Sequence, residues 1–407
     1  MNTFVASTTS AFLFLAAFTG SAGLRSTALI LAAFGLAAAW RASVAPHVRR
    51  LPRGFCLAYA AWALLAVASL AWSVDARYTL QELRGEVFYG TLVLSVFLLA
   101  ALGDGARWRT WCYAMLLGTL AVFLAHLVQA AFGLSFTRHT VFEQRGPWST
   151  HLVLVAPLVL ALAWRAPWGA HRGVAFAVGA MALLLYAAWE TDNRIVWVAL
   201  AAQFLIVASL RPPDANGGTR AMRWVAVAAA GVATVALAAS IADRSSLRAA
   251  DGLERDLRPR IWGVAWDKFK QAPVLGHGFG REILAADFAP HTPKALDHPQ
   301  IRHGHNVFVD IALQMGLVGL AVFVTLLLIL AREYRGYLRR AELAPLGVIG
   351  FMVLAGFLAK SMTDDFLHRH NGLVFWALNA MLLGLGRAAP PQSAPATTPP
   401  AEAAGPR

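Results

Sequence analysis

Long uninterrupted runs of apolar residues make up most of this chain, and they restrict its fold more than any other feature. Most runs approach the roughly 20 residues that an α-helix needs to cross a membrane. A spanning segment must satisfy its backbone polar groups internally, so runs of this length predict helices. We therefore expect an all-α polytopic membrane protein with about twelve spans. The predicted spans are residues 4–24, 26–40, 55–72, 87–102, 111–132, 151–164, 173–189, 195–210, 224–242, 307–330, 345–359 and 372–386.

The composition excludes the main soluble classes. Of the 407 residues, 58% are hydrophobic and only 14% are charged, whereas about a quarter of a soluble domain is charged. The net charge of +13 would suit a nucleic-acid-binding protein, but Lys and Arg also accumulate in the cytoplasmic loops of membrane proteins. The two cysteines, Cys56 and Cys112, form neither a disulfide framework nor a zinc pattern.

The distribution of basic residues predicts the orientation of the chain. With the N-terminus in the cytoplasm, the inner loops and the C-terminal tail hold 17 of the Lys and Arg residues, and the short outer loops hold 8. This bias favours cytoplasmic termini and an outer long loop. The first run lacks the features of a cleaved signal peptide, so we expect it to be retained as a span.

The predicted spans and loops divide the chain into four parts. Spans one to nine occupy residues 1–242, and the long outer loop, with a best helix candidate at 259–270, occupies 243–306. Spans ten to twelve occupy 307–386. The remaining residues, 387–407, are rich in Pro and Ala and are expected to form a disordered cytoplasmic tail.

Polar residues suited to catalysis gather at the predicted outer ends of the spans. His305 and Asn306 directly precede span ten, and Gly316 and Gly319 follow within it. The dipole at a helix N-terminus disfavours imidazolium, so a neutral His305 could accept a proton near pH 7. The glycines would let another helix pack closely. Taken alone, the pattern favours a simpler interpretation, namely an interfacial histidine at a helix end with ordinary packing glycines.

Three arginines are candidates for binding phosphate. Arg258 and Arg260 flank Pro259, which is expected to open a helix, and Arg194 lies in the turn between spans seven and eight. The planar guanidinium suits phosphate oxygens. Solvated arginines, or an arginine that extends from a helix end to the membrane surface, are the alternative interpretations.

Two further groups could line the same outer cavity, although each also fits a solvated loop. Arg138 and Arg145 follow span five, and Asp364 and Asp365 lie between spans eleven and twelve.

A metal site is an alternative role for the histidines before span ten. His303 and His305 form an H-x-H pair, with Asp297 and His298 upstream, that could bind zinc. No further ligands stand at a suitable spacing, so we expect no metal. Neither a Walker loop nor a GxGxxG motif after a strand is present, so no nucleotide or other cofactor is expected.

The combination of these motifs resembles the O-antigen ligase and polymerase superfamily. The pattern that runs from His305 to Gly319 is similar to the superfamily motif H-N/S/Q-x9-G-x2-G. The stretch from Arg258 to Gly280 resembles its loop, where an Arg-x-Trp run precedes a Pro-x-x-Gly-x-Gly run. The turn that ends in Arg194 resembles its arginine-bearing turn. The resemblance covers about residues 185–385.

This resemblance implies a glycosyltransferase that works without metal or nucleotide on the periplasmic face of the bacterial inner membrane. It would move a glycan from undecaprenyl diphosphate to an acceptor hydroxyl. The acceptor is a lipid A–core sugar in ligases, another carrier-linked repeat in polymerases, and a protein Ser or Thr in related oligosaccharyltransferases. His305 would be the general base. The diphosphate would bind Arg194, Arg258 and Arg260, and the further substrate-binding candidates are Asn306, His303, Arg145, Arg138, Asp364 and Asp365.

The loop lengths favour a ligase within this superfamily. Polymerases that resemble it tend to have two sizeable outer loops, but here residues 133–150 form a short one. Protein-directed transferases usually carry a large C-terminal outer domain. A lipid-linked sugar transporter is the non-enzyme alternative, and it should show paired broken helices near the membrane midplane. The oligomeric state and the donor glycan are not indicated by the sequence.

Overall fold

A computed structural model describes residues 3–133, 145–164, 169–210, 217–248, 258–291, 301–364, 366–367 and 369–388. All regular elements within these ranges are helical, which confirms the expected all-α fold. Short 3₁₀ and π-helical segments join several of the α-helices. The α-helices are α1 Thr3–Leu15, α2 Ala22–Ala38, α3 Arg53–Ala68, α4 Ala76–Glu82, α5 Tyr89–Gly103, α6 Trp108–Phe132, α7 Arg145–Trp164, α8 Ala170–Glu190, α9 Arg194–Ser209, α10 Gly217–Arg248, α11 Arg258–Gln271, α12 Ala285–Phe288, α13 Val307–Leu338, α14 Ala344–Ser361 and α15 Arg369–Ala388.

Within the described ranges, eight helical segments are long and apolar enough to cross a membrane. They are Arg53–Ala71, Ala76–Gly103, Gly105–Phe132, Gly146–Trp164, Ala170–Glu190, Arg220–Ile241, Val307–Leu338 and Ala344–Ser361. The apolar helices α1, α2 and α9 are shorter, with 13, 17 and 16 residues. Each of the twelve predicted runs overlaps a helix, so the chain is a polytopic helical membrane protein.

The first predicted span, residues 4–24, is divided in the structure. Helix α1 ends at Leu15, and α2 begins at Ala22. The buried guanidinium of Arg25 donates hydrogen bonds to the carbonyl oxygens of Leu15, at 3.3 Å, and Phe18, at 2.6 Å. The Leu15 carbonyl belongs to the last residue of α1, and both carbonyls also accept hydrogen bonds from the Ser21 hydroxyl, at 2.9 Å and 2.7 Å. The arginine therefore stabilises a helix end that hydropathy alone does not reveal.

Buried polar side chains connect the helices across the apolar core. The Gln203 amide of α9 donates to the carbonyl oxygens of Val153 on α7, at 2.9 Å, and Met352 on α14, at 3.1 Å. Within a bundle such bonds favour one packing arrangement, because an unsatisfied amide in an apolar core costs free energy. Helices α7, α9 and α14 thus form one packed unit.

Helix α13 is broken at Gly316, where φ is 63° and ψ is −162°. The rings of Phe308 and Phe323, which lie on the two sides of the break, have centroids 6.3 Å apart. A straight helix would separate two residues fifteen positions apart by about 22 Å. Both rings also contact Phe357 of α14, at 6.4 Å and 6.1 Å. The first part of α13 is therefore folded across the end of the bundle.

A segment of the long loop, residues 273–278, supplies the hydrogen bonds that the break removes from the helix. Four backbone bonds of 2.9–3.2 Å join it to the two sides of the break: His277 N to Leu313 O, Gly278 N to Gln314 O, Leu317 N to Pro273 O and Val318 N to Val274 O.

The expectation that Gly316 would admit a neighbouring helix is therefore wrong. Its close neighbour is a turn of the long loop, because a Cβ at Gly316 would overlap the carbonyl group of Val274. Gly319 packs instead against the side chain of Met315, in the turn before it.

Candidate functional site

Several connections meet at one end of the bundle, which we call the site end. They are the turn between α8 and α9, the start of α11, the residues before α13 and the turn between α14 and α15. The predicted helix at 259–270 is confirmed as α11, so the long loop contributes a helix N-terminus here. The start of α7 also lies here, because the carboxylate of Asp364 is 3.7 Å from the position of a Cβ at Gly146.

His305 lies two residues before α13 in a left-handed conformation, with φ of 52°. Its side chain is half-buried. The pKa of His305 is lowered to about 4, chiefly by burial and also by the charge of His303, while Asp310 and Asp364 partly oppose the shift. The imidazole is therefore neutral at pH 7, as expected. Burial is the main cause, in place of the helix dipole suggested by the sequence.

Asn306 is the N-cap of α13. Its Oδ1 accepts hydrogen bonds from the backbone N–H groups of Phe308, at 3.0 Å, and Val309, at 3.2 Å. Its Nδ2 donates to the carbonyl oxygen of Met362, at 3.0 Å, which lies just after α14. Most of the hydrogen-bonding capacity of this amide is thus used within the protein, and one amide N–H remains for a substrate.

The residues around His305 are held by a compact set of bonds. The N–H of His305 donates to Nδ1 of His303 at 3.1 Å, and the two imidazole rings have centroids 4.1 Å apart. Gly304 donates its N–H to Oδ1 of Asp310 at 2.7 Å and accepts the indole N–H of Trp262 at 3.0 Å. His303 thus supports the backbone of His305, and Trp262 joins α11 to the same turn.

A buried ion pair that the sequence did not reveal lies beside this turn. Lys360, at the end of α14, is completely buried and pairs with Asp364. Asn193 donates to the same carboxylate at 3.4 Å and to Ser149 at 3.0 Å. Lys360 had been counted only as a basic residue of an outer loop. Its position inside an apolar run, four residues before an aspartate, is the signal that could have identified it.

The three candidate arginines differ in their relation to His305. Arg258, the first residue of α11, lies within electrostatic reach of both His305 and Lys360. Arg260 lies two positions further on, and both arginines are exposed. Residues two apart on a helix do not share a face. Trp262 shares the face of Arg258 and contacts Gly304, so Arg260 points elsewhere.

Arg194 begins α9 directly after Asn193, which contacts Asp364. The Arg194 side chain is half-buried, and its Nε has no hydrogen-bond partner among the residues described. A buried N–H without a partner is costly, and an anionic ligand would satisfy it.

Five residues of the predicted sites cannot be placed in full. Arg138 and Asp365 lie outside the described residues, as do Asp297 and His298 of the considered zinc pattern. Arg145 is the first residue of α7, but its side chain also lies outside them. Within the described part of the chain, no group of three or more His, Cys, Asp and Glu residues is arranged to hold a metal ion.

An apolar groove lies between α6, α7 and α8. Its volume is about 200 Å³, and its lining runs from Phe123, Leu152 and Ala187 toward the middle of the bundle. Thr119 is among the lining residues, and its hydroxyl is bonded to His151 at 3.0 Å. Leu152 is six residues along α7 from Gly146, a rise of about 9 Å. The groove therefore begins close to the site end.

The arrangement places a neutral imidazole just before α13, with Arg258 at the start of α11 and Arg194 at the start of α9 at the same end of the bundle. Helix N-termini favour anions. Such a site can hold an anionic group and accept a proton from a neutral nucleophile.

Residues 179–324 match the family model described as O-antigen ligase. The matched range extends from within α8 to the second part of α13, and so contains Arg194, Arg258, His305 and Gly316. Over this range the chain is similar to the O-antigen ligase family, in agreement with the resemblance that the motifs suggested. Enzymes of this superfamily act on lipid-linked glycans in lipopolysaccharide biosynthesis. No curated protein matches the chain.

Proposed function

We propose that this protein is an O-antigen ligase, which transfers a glycan from undecaprenyl diphosphate to a sugar hydroxyl of lipid A–core. One observation supports this most strongly: a neutral His305 shares a site with Arg258 and the buried Lys360–Asp364 pair. The reaction would take place on the periplasmic face of the bacterial inner membrane, with both chain termini in the cytoplasm. The partners are the lipid-linked donor, the lipid A–core acceptor and the membrane.

The cations of the site would bind the donor diphosphate. The leaving group gains negative charge as the glycosidic bond breaks, and donors fixed in advance stabilise that charge. Arg194 is suited to this role because its Nε is buried without a partner among the described residues. Arg258 is suited because it acts on His305 and Lys360. Arg260, on a different face of α11, would meet the diphosphate or glycan only at the rim.

His305 would act as the general base. The acceptor hydroxyl attacks the anomeric carbon, its proton passes to the imidazole, and undecaprenyl diphosphate leaves with the electron pair of the broken C–O bond. An anionic donor beside His305 would raise its pKa from about 4 toward the working pH. Asp364 would stabilise the imidazolium. A single displacement of this kind inverts the anomeric configuration.

The apolar groove between α6, α7 and α8 suits the isoprenoid chain of the donor. Its lining is almost wholly apolar, and it begins about 9 Å along α7 from the site end. The diphosphate could therefore lie at the site while the chain extends between the helices.

The alternatives are a polymerase, a protein oligosaccharyltransferase and a lipid-linked sugar transporter. The single dominant outer loop favours a ligase over a polymerase, and protein oligosaccharyltransferases usually carry a large C-terminal outer domain. The break in α13 is a feature that transporters also have. Its backbone groups on both sides are bonded to residues 273–278, however, so they are not free to coordinate a transported ion.

The decisive experiment is a lipopolysaccharide gel of a strain that lacks the gene, restored with the wild type, with His305→Ala or with the exposed control His171→Gln. A ligase predicts loss of all capped lipid A–core, with accumulation of carrier-linked polymer, and rescue by the wild type and by His171→Gln only. Core with a single repeat would indicate a polymerase. An unchanged ladder would exclude both.

Purified protein provides a second test. Release of undecaprenyl diphosphate from a lipid-linked glycan would support an enzyme and exclude a transporter. If His305→Ala kept near-native transfer, His305 would not be the base.

A further inference from the structure

The segment Pro273–His277 of the long loop is clamped between the ends of two membrane spans. The indole N–H of Trp72, which directly follows the span Arg53–Ala71, donates to the carbonyl oxygen of Leu275 at 3.0 Å. The N–H of Val74 donates to the carbonyl oxygen of His277 at 2.9 Å. On the other side, the segment bonds to Leu313 before the break in α13 and to Leu317 and Val318 directly after it.

These bonds determine the depth of the segment. The part of α13 after the break, residues 317–338, has a length of about 33 Å, which is one membrane span. The break therefore lies at the boundary of the hydrocarbon core, and so does Trp72. Tryptophan is enriched at this depth in membrane proteins. A segment bonded to both positions lies at the same boundary.

The side chains that this arrangement exposes are apolar. Val274 is 58% exposed and Leu275 is 42% exposed. The apolar residues next to this segment are exposed too: Val74 is 62%, Leu317 54% and Val318 38% exposed. Leu317 and Val318 belong to a span, where exposed aliphatic side chains face lipid. Val274, which bonds to Val318, continues that lipid-facing surface onto the long loop.

We propose that the Pro273–Leu275 segment, together with Val74, inserts into the leaflet at the site end and contacts its acyl chains. The long loop is thus a membrane-anchored element and not a free outer domain. Exposed aliphatic side chains in water are unfavourable, and their insertion removes that surface from water. If the proposed function holds, this anchor also keeps α11 and Arg258 at the depth of a lipid diphosphate.

Site-directed spin labelling of the full-length protein in phospholipid nanodiscs tests the insertion. The background is Cys56→Ser with Cys112→Ala, and single labels are placed at Val274→Cys, Leu275→Cys and Val74→Cys. The matched controls are Asp267→Cys and Lys270→Cys on α11, whose side chains are 70% and 55% exposed. Accessibility to oxygen, which concentrates in lipid, is compared with accessibility to a water-soluble nickel chelate.

We expect the labels at 274, 275 and 74 to be relaxed several-fold more by oxygen than by the nickel chelate, with the opposite order at 267 and 270. Equal exposure of the two groups to the nickel chelate would overturn the proposal. Protection from the chelate that appears only when free glycan is added would overturn it too, and would indicate a glycan-binding surface. If one loop variant does not fold, the label at Val74, on a separate connection, still decides the question.

The accessibility measurement does not depend on transfer activity. Lipid exposure of the segment in a protein without transferase activity would uphold the anchor and refute the proposed function.

Discussion

Asn306 and Met362 are 56 residues apart in the sequence, yet the side-chain amide of Asn306 donates to the Met362 carbonyl at 3.0 Å. This bond joins the start of α13 to the end of α14. His305 precedes the first of these residues, and the Lys360–Asp364 pair spans the second. The bond thus couples the candidate base to the buried ion pair. Variants of Asn306 should therefore show whether this bond affects protein stability, the position of His305, or both.

Two substitutions of Asn306 should distinguish these effects. Asn306→Ala removes the N-cap and should lower the free energy of unfolding by about 1 kcal/mol, with a large loss of transfer rate. Asn306→Asp keeps an oxygen that can cap α13 but loses the donor to Met362, so it should restore stability without restoring the rate. Thermal unfolding and initial rates measure both. A fully active Asn306→Asp protein would show that the bond to Met362 does not position His305.

The pH dependence of transfer should depend on His303. The pKa of His305 is lowered to about 4, so the free enzyme keeps its base neutral at higher pH and loses it as the pH falls toward 4. The acid limb of kcat/KM should therefore lie near that value. Because His303 contributes to the lowering, His303→Ala should raise the pKa of His305 and move the limb to higher pH. An unmoved limb in this variant would mean that a different group controls it.

The stability lost on substitution of Lys360 should be partly restored by a second substitution at Asp364. Lys360→Met leaves the carboxylate of Asp364, whose side chain is only 22% exposed, without its ion pair. Removal of one partner from a buried pair costs about 3–5 kcal/mol. The double variant Lys360→Met with Asp364→Asn should regain much of that stability and remain poor in transfer. If the double variant were as unstable as the single one, the pair would not account for the loss.

Gly316 should not tolerate a side chain. Its backbone conformation is essentially restricted to glycine and costs other residues about 1–3 kcal/mol, and a Cβ would also overlap Val274. Gly316→Ala should therefore greatly reduce the folded protein recovered from membranes. Gly336, in the same helix, has open space around its Cβ position, so Gly336→Ala is the control and should fold normally. Equal recovery of the two proteins would refute the assigned role of the break.

Arg258 and Arg260 should contribute unequally to donor binding. Arg258 acts on His305 and Lys360, whereas Arg260 lies on another face of α11. A hydrogen bond to a charged group contributes about 1.5–3 kcal/mol, or roughly tenfold to a hundredfold in binding. Arg258→Ala should raise the KM for the lipid-linked donor by about that factor, and Arg260→Ala by much less. Titration of the donor in transfer assays compares them, and an equal effect would contradict the placement of α11.

Much of the architecture follows from the sequence because hydropathy and helix signals are local. The apolar runs predicted the helices, and Arg258–Pro259 predicted the start of α11. The motif around His305 indicated a resemblance to the family whose model matches residues 179–324. Local reasoning also identified a neutral histidine, although its burial, which is the main cause, depends on residues distant in the chain.

Only the tertiary structure determined the contacts between segments that are distant in the sequence. Lys360 is paired with Asp364 inside the bundle, and Asn306 is committed to capping and to Met362. Gly316 is a helix break completed by the Pro273–Gly278 segment. The physical reason is that helix formation depends on neighbours within a few residues. Burial of a charge and replacement of a missing backbone hydrogen bond depend on whichever segments the fold brings into contact.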